Sequence, residues 1–292
     1  MRGGVAAATL AGLFFSAGHG LAQLQPDVPY VTTPSNVIET MLEMAQVTAK
    51  DNLIDLGSGD GRIVIEAAKS RGASGTGIEL DPHLVRTALA EAKRQGVAAK
   101  TAFVTGDLFS FDLGPASVLT MYLFPQINIR LRPRLFEQLK PGARVLSHDF
   151  HMDEWQPDAQ REVAVPGKSY GAPRSMIYLW VMPVDAAGKW RWRLPVNNLP
   201  VAFEATIGQR FQKLEIAASA DGANVAVSKV QLRGGLISFT LTRDLQGRPV
   251  MHEFNGRIDG DSAAGTVKVG VGGEVALEWR ASRVERGKMR ID

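Results

Sequence analysis

In the stretch Leu53-Ile54-Asp55-Leu56-Gly57-Ser58-Gly59-Asp60-Gly61-Arg62, glycines alternate behind an acidic residue. Glycine at this density suits a chain that must turn through positive φ or lie directly against a ligand. The apolar run before it reads as a buried strand. After it, Ile63, Val64, Ile65, Ala67 and Ala68 recur at helical spacing beside Glu66 and Lys69. Unpaired N–H groups at the start of such a helix face whatever occupies the turn. A dinucleotide fingerprint spaces its glycines G-x-G-x-x-G. Gly57 and Gly59 fit that spacing, but Arg62 holds the third position and Gly61 comes one residue early. Taken alone, the spacing also suits an ordinary tight strand-to-helix turn.

The pattern D-x-G-x-G-x-G resembles motif I of class I S-adenosylmethionine-dependent methyltransferases. Two further acids extend it. Gly75 to Asp81 reads as the next strand, with Glu79 at its C-terminal end, where an acid accepts hydrogen bonds from a ribose diol. A third strand, Thr101-Ala102-Phe103-Val104, leads into Gly106-Asp107-Leu108-Phe109 and puts Asp107 beside the adenine amine. Each acid alone reads as a solvated loop carboxylate; acids at successive strand ends after a glycine turn point to one site. The expected cofactor is S-adenosyl-L-methionine, and the expected cofactor-binding residues are Asp55, Gly57, Ser58, Gly59, Asp60, Gly61, Glu79, Leu80, Asp107 and Leu108.

The elements that position these residues alternate. Ser35 reads as the N-cap of a helix through Val37, Ile38, Met41, Leu42 and Met44, preceded by a Pro- and Thr-rich lead-in. From Leu53 to about Phe150, strands and helices alternate, which implies a parallel sheet with crossover helices. Ser117 to Tyr122 is the fourth strand. A helix around Leu131 to Leu139 stops at Pro141-Gly142, and Ala143 to Ser147 is the fifth strand. Arg130, Arg132 and Arg134 read as a solvated helix start. Glu162 to Val165 and Met176 to Val184 complete seven strands, giving a Rossmann-like α/β domain over residues 23–184.

Near residue 185 helical periodicity gives way to short alternating segments: Trp190 to Leu194, Val201 to Ile207, Lys213 to Ala217, Val225 to Leu232, Leu236 to Thr242, Met251 to Ile258, Gly265 to Val269 and Val275 to Ala281. Turns such as Asp221-Gly222 and Gly234-Gly235 separate them. Residues 185–292 therefore read as an all-β domain, an antiparallel barrel or a sandwich. Over three or four residues, Gly188-Lys189-Trp190 and Trp279-Arg280 resemble the Gly-x-Trp and closing Arg of lipocalin-like barrels.

The chain has 292 residues, 45% of them hydrophobic and 22% charged, as in globular proteins. With a net charge of +3 and no long basic run, the sequence does not point to a nucleic-acid partner. The absence of cysteine excludes disulfides, thiolate zinc sites and cysteine nucleophiles. His148, Asp149, His151, Asp153 and Glu154 lie close together, but neighbours on a strand point to opposite faces. No metal site is expected there, and His148 is assigned to a loop lining the substrate cleft.

The N-terminus reads as an export signal over residues 1–22. Met1-Arg2 supplies a positive charge, Val5 to Phe15 an apolar core, and Ser16 to Ala22 the small residues before a cleavage point. The apolar stretch is short for a membrane span. A periplasmic protein is expected, the alternative being a membrane anchor through residues 5–18; either places the chain near a membrane. Export and a cytosolically made cofactor pull in opposite directions.

The stretches Val28-Pro29-Tyr30-Val31, Asp55 to Ala68, Gly77-Ile78-Glu79-Leu80, Tyr122-Leu123-Phe124-Pro125 and Leu139 to His148 occur in this order. Together they resemble the small seven-β-strand protein-lysine methyltransferases typified by the mitochondrial ATP-synthase c-subunit lysine methyltransferase. A more distant similarity is to histone lysine methyltransferases without a SET domain. The resemblance covers roughly residues 27–184 and suggests a bacterial relative with an added C-terminal β domain. It implies methyl transfer to a protein lysine; alternatives are a small-molecule acceptor, gathered by the β domain, or an exported binding protein that has lost transfer. Oligomeric state is left open.

Transfer from a sulfonium needs an in-line, desolvated nucleophile more than an acid or base. Tyr122 ends the fourth strand, where related enzymes place substrate-facing residues, and is the candidate catalytic side chain. It could steer the amine through its hydroxyl or meet a cation with its ring face; the alternative is simple packing. Tyr30 and Thr33 either close over the cofactor as a lid or form a plain lead-in.

Overall fold

A computed structural model describes residues 30–168, 171–196, 199–245, 247–270 and 275–292. The proposed signal peptide and anchor segment lie outside the described residues. Helix α1 (Ser35–Met44) precedes strand β1 (Asn52–Leu56), helix α2 (Arg62–Glu66) and a π-helical turn, Ala67–Arg71. Strand β2 (Ser74–Glu79), helix α3 (Pro82–Arg94), β3 (Thr101–Thr105), β4 (Val118–Met121), α4 (Pro125–Gln138), β5 (Arg144–His148), β6 (Ala159–Ala164) and β7 (Arg174–Val181) follow.

These seven strands form one sheet in the order β3-β2-β1-β4-β5-β7-β6. Strands β1 to β5 run parallel, and β7 is antiparallel to both of its neighbours. All of β4 and nearly all of β1 are buried, as expected of central strands covered on both faces. Strand order reverses between β1 and β4, so a crevice opens outside their carboxyl ends, where open α/β sheets bind ligands.

Two local expectations need correction. Pro34, rather than Ser35, is the N-cap of α1; its carbonyl accepts from the N–H groups of Val37 and Ile38, each at 3.0 Å. Proline holds φ at −63° in the extended capping conformation, so the helix starts at Ser35, one residue earlier than a serine cap implies. The arginines of α4 lie within the helix rather than at a solvated start. Arg134 donates to the Phe111 carbonyl at 2.8 Å, Arg132 lies over Phe211, and Arg130 covers Phe109 with its guanidinium carbon 3.8 Å from the ring centre.

Beyond the sheet, β8 (Gly188–Val196), β9 (Leu199–Arg210), β10 (Lys213–Ala220), β11 (Ala223–Arg233), β12 (Leu236–Leu245), β13 (Arg248–Asp259), β14 (Ser262–Gly270) and β15 (Val275–Arg286) close into an antiparallel barrel. Closure through β15 and β8 decides for a barrel over a sandwich and leaves no free edge. Inward-facing Trp192, Phe203, Phe239, Phe254 and Trp279 fill the interior; Trp192 stacks on Phe203 with centroids 5.4 Å apart. Gly188 sits at φ +128°, and a Cβ there would come within 2.1 Å of the Glu285 carbonyl, so β8 and β15 join only over a bare backbone. The arginine that closes over Trp190 is Arg283, 4.9 Å from its ring, rather than Arg280. Side chains alternate along a strand, and the register pairing Arg283 with Trp190 fixes which arginine faces inward.

The barrel packs on the sheet through Phe211 and Gln212. Phe211 joins the cluster of Phe136, Trp155 and Trp180, and the Trp155 indole donates to Gln212 Oε1 at 2.9 Å. The barrel retains a cavity of only about 20 Å³, against about 190 Å³ in the sheet-edge pocket. Among the described residues, aromatic rings fill much of the barrel interior.

Candidate active site

The sheet-edge pocket lies at the carboxyl ends of β1 to β4, and every residue lining it falls between Tyr30 and Ile127. Of the expected residues, Asp55, Gly57, Ser58, Gly59, Asp60, Glu79, Leu80, Asp107, Leu108, Tyr30, Thr33 and Tyr122 line it. Gly61 is the N-cap of α2 just behind.

Asp55 is buried at the end of β1 and accepts a hydrogen bond from Thr120 Oγ1 at 2.7 Å, while its Oδ2 has no partner among the described residues. Burial pushes its pKa up to about 7; the Thr120 bond opposes this, and the charges of Glu79 and Asp60 add to it. A buried carboxylate this short of donors favours a ligand that brings a cation or a donor. Ser58 Oγ is also buried with no hydrogen-bond partner among the described residues.

Glu79 ties β2 to the glycine turn. Its Oε2 accepts the Gly59 N–H at 2.8 Å, and Oε1 accepts those of Leu80 and Asp81 at 2.8 and 3.0 Å. Asp107 accepts the Phe109 N–H at 2.9 Å. Carboxylate oxygens offer more lone pairs than these contacts use, so both acids can still accept from a ligand.

Arg62, the residue that broke the dinucleotide pattern, grips Asp60 through Nε at 2.9 Å and a terminal nitrogen at 2.6 Å, and its other terminal nitrogen reaches the Thr33 carbonyl at 3.3 Å. Burial alone would raise the Asp60 pKa, but the hydrogen bond and charge of Arg62 hold it below the ordinary value. Burial and the neighbouring Asp60 raise that of Tyr30. The segment before α1 is thereby fastened to the glycine turn.

His148 departs from expectation. It belongs to β5, pairs with Ile177 of β7, is 1% exposed and does not line the pocket. Its Nδ1 lies 3.2 Å from Thr33 Oγ1 and its Nε2 2.8 Å from Ser175 Oγ. Burial lowers its pKa to about 4, with Asp149 opposing and Lys168 adding to the shift, so the ring is a neutral support. Pairing with β7 carries β5 one residue further than expected and turns the imidazole inward. The Tyr122 ring lies on it, with centroids 3.8 Å apart. Among the described residues, no group of His, Asp and Glu is arranged to hold a metal.

Sequence reasoning missed Asp149 as a partner of Tyr122: the phenol donates to Asp149 Oδ2 at 3.2 Å. The pair lies 27 positions apart in the chain and meets only because β4 and β5 are neighbours. Phe109, Leu84 and Ile127, also unforeseen, complete the apolar wall.

A glycine turn at the switch point of a seven-stranded sheet, with acids at the ends of the first strands, defines a class I methyltransferase. The chain belongs to the family of the ANTKMT methyltransferase domain, whose model matches residues 55–159. A protein-lysine N-methyltransferase of Saccharolobus islandicus (strain REY15A) is 44% identical over 133 residues, covering 45% of this chain and 83% of the relative. The ATP-synthase c-subunit lysine N-methyltransferase of Homo sapiens is 35% identical over 131 residues, 45% of this chain and 55% of that protein. A crystal structure described as an RNA methyltransferase from Salinibacter ruber in complex with S-adenosyl-L-homocysteine shares 51% identity over 52% of this chain and 93% of its own, with a TM-score of 0.47.

The pocket suits S-adenosylmethionine as cofactor. Asp55, whose Oδ2 has no partner among the described residues, Glu79 and Asp107 are the pocket acids that would hold its charged amine, ribose diol and adenine amine.

Proposed function

We propose that this chain transfers the methyl group of S-adenosylmethionine to the ε-amine of a lysine in a protein. One observation carries the reading: Asp55, Glu79 and Asp107 line a pocket that also reaches Tyr122, in a chain whose relatives include proteins named lysine N-methyltransferases. When bound, the cofactor supplies an electrophilic methyl on a sulfonium. The protein's part is to orient and to exclude water. Leu80, Leu84, Leu108, Phe109 and Ile127 line the pocket with apolar surface, which lowers an amine's pKa and favours its neutral, nucleophilic form. Tyr122 lines the same pocket and brings an oxygen that can orient the amine.

Titration calorimetry with S-adenosylmethionine, on the wild type and on Asp55→Ala and Glu79→Ala, tests the cofactor half. Tritium-methyl transfer onto cell-envelope extract tests the acceptor half by separating labelled protein from labelled small molecules. No binding at millimolar cofactor by the wild type would overturn the reading. Residues 1–22 are proposed as a cleaved export signal that delivers the enzyme to the periplasm. A mature N-terminus beginning at Gln23 in an envelope fraction supports this; a cytosolic, uncleaved chain contradicts it.

A further inference from the structure

We infer that Asp149 is a positioning residue for methyl transfer, setting the Tyr122 hydroxyl so that the pocket wall accepts a hydrogen bond from the incoming amine rather than donating one. The inference rests on the lysine reading above and names the residue that tunes that site.

Asp149 follows β5 at φ +63°, a conformation uncommon for a residue with a side chain. Its backbone N–H donates to the Met176 carbonyl at 2.7 Å, and its Oδ1 accepts the Met176 N–H at 3.0 Å. The other carboxylate oxygen accepts from Lys168 Nζ at 2.6 Å and from the Tyr122 hydroxyl at 3.2 Å, with His148 Nε2 3.6 Å away. Lys168 is itself held by the Arg174 carbonyl at 2.9 Å. The carboxylate is thus fixed from several sides behind Tyr122, which lines the pocket while Asp149 does not.

A phenol carries a single proton. With that proton committed to Asp149, the Tyr122 oxygen offers only lone pairs in other directions. An amine nucleophile must keep its own lone pair free and aimed at the methyl carbon. A donor on the wall would compete for that lone pair; an acceptor instead takes an amine N–H and orients the lone pair. The Asp149–Tyr122 contact selects the acceptor.

Asp149→Asn tests this, because asparagine keeps the shape and tolerates positive φ, while its amide can donate to the phenol and free the phenol proton for the pocket. The expected result is a fall in kcat for lysine methylation of about 10- to 100-fold, the scale of misplaced reacting groups. The Kd for S-adenosylmethionine should stay within about twofold, since Asp149 lies outside the cofactor pocket. In a Tyr122→Phe background, Asp149→Asn should lower kcat by less than about twofold further. An unchanged kcat in Asp149→Asn, or an equal drop in both backgrounds, overturns the inference while leaving lysine transfer by the wild type intact. A wild type that binds cofactor yet labels no lysine overturns the functional reading itself.

Discussion

The ring of Tyr30 lies so close over Gly59 that a Cβ on that glycine would come within 2.6 Å of Tyr30 Cε2. Gly59 also holds φ +54°, and its N–H is the donor that Glu79 accepts. One bare residue therefore joins the segment before α1, the glycine turn and Glu79.

Gly59→Ala should accordingly cost about 1–3 kcal/mol of stability, the range for a side chain forced into left-handed backbone. It should also weaken cofactor binding, because the displaced ring no longer closes on the turn. Thermal denaturation and calorimetry measure the two effects; an unchanged Tm together with unchanged affinity would contradict the arrangement.

Asp55 gives a pH signature. Its folded pKa of about 7 lies above the ordinary value of 3.8, so between these values the folded state holds a proton that the unfolded state has lost. Stability from this group is therefore greatest below about pH 4 and is lost as pH rises through 7. Asp55→Asn should remove that dependence. Relative to the wild type without cofactor, the variant should gain stability from pH 4 to pH 8, by at most about 4 kcal/mol. Denaturant unfolding across this range checks the sign, and a difference that runs the other way would refute it.

Glu79→Ala should weaken S-adenosylmethionine binding by about 1.5–3 kcal/mol, the range for hydrogen bonds to a charged group. Calorimetry measures it directly. Affinity within experimental error of wild type would mean that Glu79 only braces the turn.

Arg283 separates barrel from site. Its side chain is 2% exposed, lies over Trp190 and donates to the carbonyls of Ala187 and Gly260 at 3.0 and 2.6 Å and to Asp261 at 2.9 Å. Arg283→Met should cost about 2–3 kcal/mol of stability, because those acceptors lose a charged donor. Cofactor affinity should not move, since among the described residues none of the barrel lines the pocket. A coupled loss of affinity would show that the barrel shapes the site.

The cofactor end of the pocket was legible in the sequence because its chemistry is local. Asp55 and Glu79 sit at the ends of β1 and β2, and Asp107 just beyond β3, so local spacing places them. Eight alternating segments likewise announced the all-β domain, though only the β15–β8 pairing could tell a barrel from a sandwich. The substrate end was not legible. His148 turned inward because β7 inserts beside β5, and Asp149 reached Tyr122 because β5 lies beside β4, long-range pairings without a local signature. Arg283, rather than Arg280, covers Trp190 for the same reason: register across strands decides which side chain faces in.

The most direct test is to incubate the wild type with tritium-methyl S-adenosylmethionine and envelope protein, hydrolyse the protein, and identify the labelled amino acid. The expected product is radiolabelled N-methyl-lysine, abolished when Asp55 is replaced by alanine. Label in any other product, or none from a protein that binds the cofactor, would contradict transfer to lysine.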